Sequence, residues 1–214
     1  MRMRPAPTTA PTAAGAATAV HTGGGDVERT ALKEWDVLVR AMARGEIIAL
    51  VRKGGIRERR AGFVVRHDRF LLYPTRFHEN VGELAPRLRG SLEAGAGAPR
   101  DGPNSVPITL VAEVERVWAL SALEPLRAIE MAHGLAWRAV ESRFRYREPG
   151  IQVVAVRVAR LRSPVTRPEL PRYRGCVSWV ELDEDVDVTD AAPVLSDAEL
   201  GERVARLDAA LSRA

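Results

Sequence analysis

Residues 50–58, "LVRKGGIRE", combine cations with two bare glycines, a combination that could bind phosphate. Arg52, Lys53 and Arg57 could donate charge-assisted hydrogen bonds to phosphate oxygens. Gly54 and Gly55 carry no side chain, so a phosphate or a base could approach their main chain closely. Two consecutive glycines between strands are also the usual content of a tight hairpin turn. Both interpretations hold together, and we expect an anion-facing hairpin here.

Four further residues are candidates for the base-side wall of the same site: Arg76, His78, Arg174 and Trp179. Trp179 belongs to the segment "CVSWVEL", in which alternate residues point to opposite faces of a predicted strand. If the face with Val180 and Leu182 is core, the indole is exposed near Arg174 and could stack on a base. The alternative is an aromatic side chain packed at the edge of the sheet.

Several catalytic patterns do not fit this sequence. A phosphate-binding P-loop has its lysine after the glycines, whereas Lys53 precedes them. A restriction-type nuclease needs an acid two residues before a lysine, but Ala31 and Val51 occupy those positions before the two lysines, Lys33 and Lys53. The four histidines and one cysteine lack the spacing of a zinc site. We therefore expect no catalytic residue, no metal and no cofactor, with a divergent metal-dependent phosphodiesterase as the alternative.

The charge distribution favours a polyanionic partner. The chain of 214 residues has a formal net charge of +4 and a pI of about 9.8. Nine arginines crowd residues 143–174, and six acidic residues follow within residues 181–190. A basic body with an acidic rim suits DNA or RNA, although a charge run is equally often a solvated face.

Composition also predicts the cellular setting. Cys176 is the only cysteine, so no intrachain disulfide can form and the cytoplasm is the expected compartment. No apolar run is long enough for a membrane helix. Residues 1–27 are rich in Ala, Thr, Pro and Gly, and we expect a disordered leader there.

The first half of the remaining sequence predicts a helix and a meander. Leu32, Trp35, Val39 and Met42 recur at helical spacing, which predicts a helix from Glu28 to Arg44. The segments "IIALVR", "GFVVR" and "RFLLYPT" predict three short neighbouring strands over residues 47–75. Glycines and prolines then predict a flexible loop over about residues 84–107.

The second half predicts two long strands, a shorter one and two helices. "PITLVAEVERVWAL" and "IQVVAVRVARL" read as strands, and "CVSWVEL" as a third after a proline-rich loop at residues 164–171. Leu126, Ile129, His133, Trp137 and Val140 predict a helix between the long strands, with Ser121 and Glu124 as a possible capping box and His133 as a core residue.

The C-terminal segment, residues 191–214, predicts an amphipathic helix that packs on the body or meets a partner. Short strands without regular strand–helix alternation favour an α+β fold over residues 28–190, with a mixed, mainly antiparallel sheet or a small barrel flanked by helices. The oligomeric state is left open.

Several segments together resemble the bacterial family called domain of unknown function 1802. They are "KEWDVLVRAMARGEIIALVRKGGIRE", "FLLYPTRFHE", "AEVERVW", "VVAVRVARL" and "YRGCVSWVEL", which span roughly residues 29–183. The resemblance implies a part in DNA restriction, because similar domains are joined to nuclease domains of the Mrr type. Cleavage would then come from a separate nuclease subunit. A weaker resemblance, to PUA-like folds of the ASCH and EVE kind, implies a small barrel that holds nucleic acid and sometimes a modified base.

These observations predict a non-catalytic nucleic-acid-binding module associated with DNA restriction or defence. Arg52, Lys53 and Arg57 would contact phosphates, and Arg76, His78, Arg174 and Trp179 would line the base-side pocket. The alternatives are a metal-dependent nuclease with a divergent active site and a protein-interaction subunit that uses the C-terminal helix.

Overall fold

Seven strands form one curled sheet in the computed structural model, which describes residues 27–53, 65–96, 105–175 and 177–212. The strands are β1 Val27–Trp35, β2 Ala49–Arg52, β3 Arg69–Thr75, β4 Ser105–Leu120, β5 Ile151–Pro168, β6 Trp179–Asp187 and β7 Ala192–Pro193. The α-helices are α1 Asp36–Ala43, α2 Pro86–Ala96, α3 Trp137–Arg145 and α4 Asp197–Leu211. Short 3-10 helices lie at Val81–Glu83, Glu124–Ile129 and Pro171–Tyr173.

The strand order is β2-β5-β4-β3-β1-β6, with β7 paired to β5. Only β1 and β3 run parallel, and the other paired strands are antiparallel. Although three strands separate β2 from β1 in this order, Arg52 of β2 reaches Glu34 of β1. The sheet therefore curls strongly, and the expected α+β class with a mixed, mainly antiparallel sheet is confirmed.

Apolar side chains cover both faces of the central strands. In β1 the neighbours Ala31 and Leu32 are both buried, and they belong to two separate clusters on opposite sides of the sheet. The larger cluster joins the concave face to helices α1, α3 and α4, and the smaller one lies between β1, β3, β4, β5 and β6. A strand with both faces buried is hydrophobic without alternation, so periodicity alone cannot identify it.

The predicted helix from Glu28 to Arg44 is wrong over its first half. Residues 27–35 form β1, and only Asp36–Ala43 are helical. Leu32 and Trp35 fit the helical spacing by coincidence, because each is buried as part of a strand held between β3 and β6. Pairing on both sides outweighs the local helical preference.

The predicted meander over residues 47–75 is also wrong. β2 pairs with β5, whereas β3 pairs with β1 and β4. Of the segment "GFVVR", only Val65 and Arg66 are described, and neither is in a strand. Three apolar strands in succession suggested local pairing, but their partners come from distant parts of the chain, which local patterns do not specify.

The flexible loop predicted over residues 84–107 begins instead with ordered structure. Leu84 and Leu88 are fully buried, and α2 occupies much of the interval. Ser105 already belongs to β4, and residues 97–104 lie outside the described part. Similarly, β5 continues to Pro168 through the loop expected at residues 164–171, because it pairs with the first residues of β4.

The helix predicted between the long strands is broken into two pieces. A 3-10 helix covers Glu124–Ile129 and α3 begins only at Trp137, without a capping hydrogen bond from Ser121. Gly134 lies in the break, where a Cβ atom would stand 2.2 Å from a methyl group of Leu38. The main chain therefore presses directly on the core at this point, and a continuous helix would not fit.

The C-terminal amphipathic helix is confirmed as α4. Its capping box joins Ser196 to Glu199, and Leu200, Leu207 and Leu211 are buried in the larger cluster. Asp208 accepts a hydrogen bond of 3.1 Å from the indole of Trp118 on β4. The apolar stripe of α4 thus packs on its own domain. None of the described helices is both long enough and apolar enough to span a bilayer.

His133 is a buried core histidine, as the sequence predicted. Its Nδ1 accepts a hydrogen bond from the Leu135 amide at 3.2 Å, and its Nε2 has no hydrogen-bond partner among the described residues. Burial, chiefly, and then the neighbouring Arg87 and Arg143 lower the pKa of His133 from 6.5 to about 4. The folded state therefore keeps the ring neutral at pH values where an unfolded chain would protonate it.

This difference predicts acid sensitivity. The stability that depends on a neutral His133 is fully present above pH 6.5. It falls between pH 6.5 and about 4, because there the unfolded state binds a proton that the folded state excludes. The loss should reach about 3 kcal/mol. In urea titrations at pH 7 and pH 4.5, His133→Gln should lose less stability than the wild type. His78→Asn, at an exposed histidine, serves as the control. Equal losses in wild type and His133→Gln would contradict the prediction.

Candidate functional site

A cleft of about 340 Å³ opens where the ends of β1, β2 and β3 meet the residues after α3. Strand β1 contributes Lys33, Glu34 and Trp35, and the end of β2 contributes Val51, Arg52 and Lys53. The remaining walls come from Thr75, Phe77 and His78 after β3, from Arg143 and Tyr146 at the end of α3, and from residues 175, 177 and 178 before β6. We call this the aromatic cleft.

An ion pair lies at the floor of the aromatic cleft. Arg52 Nη1 is 3.0 Å from Glu34 Oε2, and the two side chains are 12% and 5% exposed. Arg52 Nη1 also lies 3.3 Å from the carbonyl of Lys33, and Glu34 Oε1 accepts the Trp35 amide at 2.9 Å. Because both charges are withdrawn from water, each depends on the other for its stability.

Both lysines of the cleft hold main-chain carbonyls. Lys33 Nζ donates to the carbonyls of Tyr173 and Gly175 at 2.6 and 3.1 Å. Lys53 Nζ donates to the carbonyls of Phe144, Glu148 and Gly150. The three ammonium protons of Lys53 thus bind the last turn of α3 and the loop that follows it, and this loop carries Tyr146. Lys53 is a positioning residue in this structure, and the predicted phosphate contact would require these bonds to break.

Arg143 closes the floor on the side of α3. Its guanidinium carbon stands 5.3 Å from the ring centre of Trp35, and its Nη1 donates to the Val51 carbonyl at 3.1 Å. A quarter of the side chain is exposed. Burial lowers the pKa of Arg143, Glu34 opposes that shift, and Arg52 adds to it. Packing on the indole and the carboxylate of Glu83, 3.9 Å from Arg143 Nη2, both stabilise the cation.

Aromatic side chains form the rim. Phe77 is 50% exposed and Tyr146 is 42% exposed. The rings of Phe77 and His78 lie 3.9 Å apart at an angle of 55°, and His78 has a φ of 60°, in the left-handed region. Such a conformation costs about 1 kcal/mol in a residue other than glycine and recurs at binding sites. Glu79 anchors this rim by accepting the Val37 amide at 2.9 Å.

Of the residues predicted to bind nucleic acid, the structure places Arg52, Lys53 and His78 in the aromatic cleft. It differs in what the two cations do, since Arg52 pairs with Glu34 and Lys53 binds carbonyls. The other three residues of this segment lie outside the described part of the chain: Gly54, Gly55 and Arg57. The expected hairpin at the glycine pair therefore stays a prediction, and among the described residues β2 pairs with β5.

The other three predicted residues are not part of the cleft wall. Arg76 lies between two lining residues but pairs with Asp36 of α1 at 3.5 Å. Arg174 is exposed beside Gly175, which lines the cleft. Trp179 packs edge-on against Phe70 and His67, with ring centres 5.1 Å apart in both pairs. Trp179 is thus the packed aromatic that the sequence left as an alternative.

The arginine-rich segment is largely neutralised by acidic side chains of the same chain. Pairs join Arg157 to Glu115 and Asp197, Arg162 to Asp190, Arg167 to Glu184, and Arg172 to Asp183. Acidic residues of the stretch 181–190 therefore form ion pairs with arginines of β5 and of the following loop. The sequence suggested a basic face and a separate acidic rim, but folding places the two runs side by side.

Sequence reasoning missed the aromatic residues of the rim. Phe77 and Tyr146 stand in "TRFHE" and "RFRYRE", where an aromatic residue has basic neighbours. Basic residues interleaved with aromatic ones are a signal of nucleic-acid binding. Glu34 carried no such signal, because a single acid next to a lysine becomes informative only when its partner in the fold is known. Among the described residues, no three His, Cys, Asp or Glu side chains group as metal ligands would.

The comparison with protein families agrees with the first resemblance drawn from the sequence. The family described as "Domain of unknown function (DUF1802)" matches residues 31–206. A solved structure of ASCH from Zymomonas mobilis is 13% identical, with a TM-score of 0.40 over 82% of this chain and 92% of that chain. A mutant of the ASCH protein from the same organism is 12% identical, with a TM-score of 0.41 over 84% and 96%. Similarity at this distance assigns no role to any residue. No curated protein matches the chain significantly.

Proposed function

The chain belongs to the family of the domain of unknown function DUF1802, and we propose that it binds single-stranded nucleic acid, DNA or RNA, at the aromatic cleft. The module itself is non-catalytic in this proposal. One unpaired base, modified or not, enters the cleft, and the neighbouring phosphates lie across its mouth.

The exposed aromatic pair is the observation that carries the proposal. Phe77 and Tyr146 each leave about half of their surface in water, and both line one cleft with cations at its floor. Exposed aromatic side chains are costly unless they meet a partner, and a base offers a flat π-face to such side chains. A base in a duplex is already stacked on both sides, so the cleft favours single strands.

Arginines beside the rim could contact the flanking phosphates. Arg145 is 69% exposed, and among the described residues it pairs along its own helix, with Glu141 at 2.8 Å. The guanidinium of Arg147 lies 5.2 Å from the ring centre of Tyr146. Such exposed pairs contribute little to stability, so both guanidinium groups could turn towards phosphates at small cost.

The proposal predicts a shallow dependence of affinity on salt. Because most of the described arginines are paired with acidic side chains, only about two phosphates should be neutralised, and the slope of log K against log salt should lie near −1.4. Fluorescence anisotropy with a labelled single-stranded decamer, in DNA and RNA forms, measures this slope between about 25 and 200 mM salt, a range over which the Debye length falls by roughly half or more. The double variant Arg145→Gln with Arg147→Gln should flatten it.

Two outcomes would count against the proposal. Undetectable binding at the lowest salt would contradict the proposed nucleic-acid binding. Tighter binding to a duplex than to a single strand would contradict the aromatic cleft as the binding site. Arg206→Gln provides the matched control, because Arg206 is 67% exposed and pairs along α4 with Glu202. Its salt slope should equal that of the wild type.

The alternatives gain less support from the described residues. A divergent metal-dependent phosphodiesterase would be detected as cleavage of the same decamer in the presence of Mg²⁺ or Mn²⁺. An interaction subunit that docks through α4 would have to use the polar side of this helix, since Leu200, Leu207 and Leu211 are buried.

A role in DNA restriction or defence, with cleavage supplied by a separate nuclease subunit, is the setting that the family resemblance implies. We propose it on that basis alone. It would be abandoned if removal of the protein left the restriction of incoming DNA unchanged.

A further inference from the structure

We infer that the aromatic cleft selects bases that present two adjacent N–H donors, as guanine does. This inference rests on the proposed function, because it names which base the cleft accepts. It follows from the position of one buried carboxylate, Glu34, and from the hydrogen bonds that occupy the cations around it.

Glu34 is held in a fixed orientation at the floor of the cleft. The Trp35 amide binds Oε1 at 2.9 Å, and Arg52 binds Oε2 at 3.0 Å. Each of these bonds uses one acceptor position of an oxygen that has two. The carboxylate therefore keeps a second acceptor position on each oxygen, and its orientation is set by the main chain on one side and by a guanidinium on the other.

Three cations of the cleft already donate hydrogen bonds within the protein. Lys53 donates to three carbonyls, Lys33 to two, and Arg143 to the carbonyl of Val51. These cations lie close to the entering base but would have to give up existing bonds to contact it. The two carboxylate oxygens of Glu34 are therefore the groups of the cleft best placed to bind N–H donors of a ligand.

Base edges differ in how they meet two acceptors. The Watson–Crick edge of guanine carries N1–H beside the N2 amino group, so two parallel hydrogen bonds to a carboxylate can form. Adenine and cytosine place one amino group beside an acceptor nitrogen, and uracil and thymine place one N–H between two carbonyls. In those bases an acceptor faces an oxygen of Glu34, which is repulsive. A bidentate contact discriminates against the wrong base by at least about 1.4 kcal/mol, which is roughly tenfold.

The ligand-side experiment leaves the protein unchanged. Labelled decamers of thymine, in DNA, and of uracil, in RNA, carry one central guanine, adenine, cytosine or inosine, and anisotropy gives the dissociation constants. We expect guanine to bind about tenfold more tightly than adenine or cytosine. Inosine, which lacks the N2 amino group, should fall between guanine and adenine. Equal affinities for all four would overturn the inference and leave the proposed function standing, whereas no binding of any decamer would overturn the proposed function.

Competition with free guanosine monophosphate tests whether the cleft binds guanine in a nucleic acid or in a free nucleotide. If it displaces the guanine decamer only at much higher concentration, the polymer is the ligand and both proposals hold. If it competes on equal terms, the base selectivity holds and the proposal that nucleic acid is the partner fails.

The protein-side experiment uses Glu34→Gln, whose amide presents one donor and one acceptor. Its affinity for the guanine decamer should fall about tenfold, to the level of the adenine decamer, while the adenine affinity stays the same. The control is Glu115→Gln, because Glu115 is also ion-paired, to Arg157 at 2.7 Å, but does not line the cleft. A guanine preference that survives in folded Glu34→Gln would overturn the inference. If thermal unfolding shows that this variant does not fold, the inosine comparison decides.

Discussion

Replacing Arg52 with alanine is expected to lower the free energy of unfolding by about 3–5 kcal/mol. The substitution leaves the Glu34 carboxylate without its guanidinium at a site where only 5% of the side chain is exposed. A carboxylate that is withdrawn from water without a cation must protonate or admit water, and either response destabilises the folded state. Urea unfolding at pH 7 measures the loss.

Two further variants test whether the loss comes from a buried carboxylate that has lost its cation. The double variant Arg52→Ala with Glu34→Leu removes both charges, so it should recover a substantial part of the stability that Arg52→Ala loses. Arg44→Ala breaks the pair with Glu46, whose side chains are about 40% exposed, and should cost at most about 1 kcal/mol. Equal losses for Arg52→Ala and Arg44→Ala would show that burial of the floor pair has no energetic consequence.

Removing both rim aromatics, Phe77→Ala with Tyr146→Ala, should weaken binding of a single-stranded decamer about 100-fold. Stacking on an aromatic side chain contributes roughly 1–3 kcal/mol per base, and each single variant should lose about tenfold. Since both side chains are about half exposed, their removal should change the stability of the fold little. Anisotropy at constant low salt measures the affinities, and thermal unfolding checks that the variants are folded.

Met131→Ala is the matched control for the rim. Met131 is 70% exposed and does not line the aromatic cleft, so its truncation removes a similar amount of exposed apolar surface without touching the proposed site. Its affinity should equal that of the wild type. If the double rim variant also bound as well as the wild type, bases would not enter this cleft, and the proposed function would have to rest on another surface.

The two sets of predictions separate the roles of the floor and the rim. The floor pair stabilises the curled sheet, because it joins β2 to β1 across three intervening strands. The rim contributes little to the core and is available to a ligand. Variants of Arg52 that weaken binding are therefore informative only when their unfolding is measured as well.

Much of the domain could be predicted from local patterns. Strands β4 and β5 were recognised because their apolar residues persist over long segments, and α4 because its capping box and apolar stripe coincide. The burial of His133 followed from its place among apolar residues. In each case the signal lies within a few residues of the element that it predicts, so long-range contacts were not needed.

Long-range pairing is where local patterns failed. β1 carries a helical spacing of apolar residues, yet it lies between β3 and β6 in the sheet. The partners of β2 and β3 also come from distant segments. The central residues of β2 and β3 are apolar on both faces, so their sequences contain neither a period nor a mark of the partner strand.

The sequence by itself determined the α+β class, the family, and which types of side chain were available for binding. Only the tertiary structure decided which cations are committed inside the protein and which side chains line the cleft. The arginines of residues 143–174 and the acids of residues 181–190 are separate along the chain but adjacent in the fold. Charge acts through space with a strength set by distance and burial, and neither quantity can be read from the order of residues.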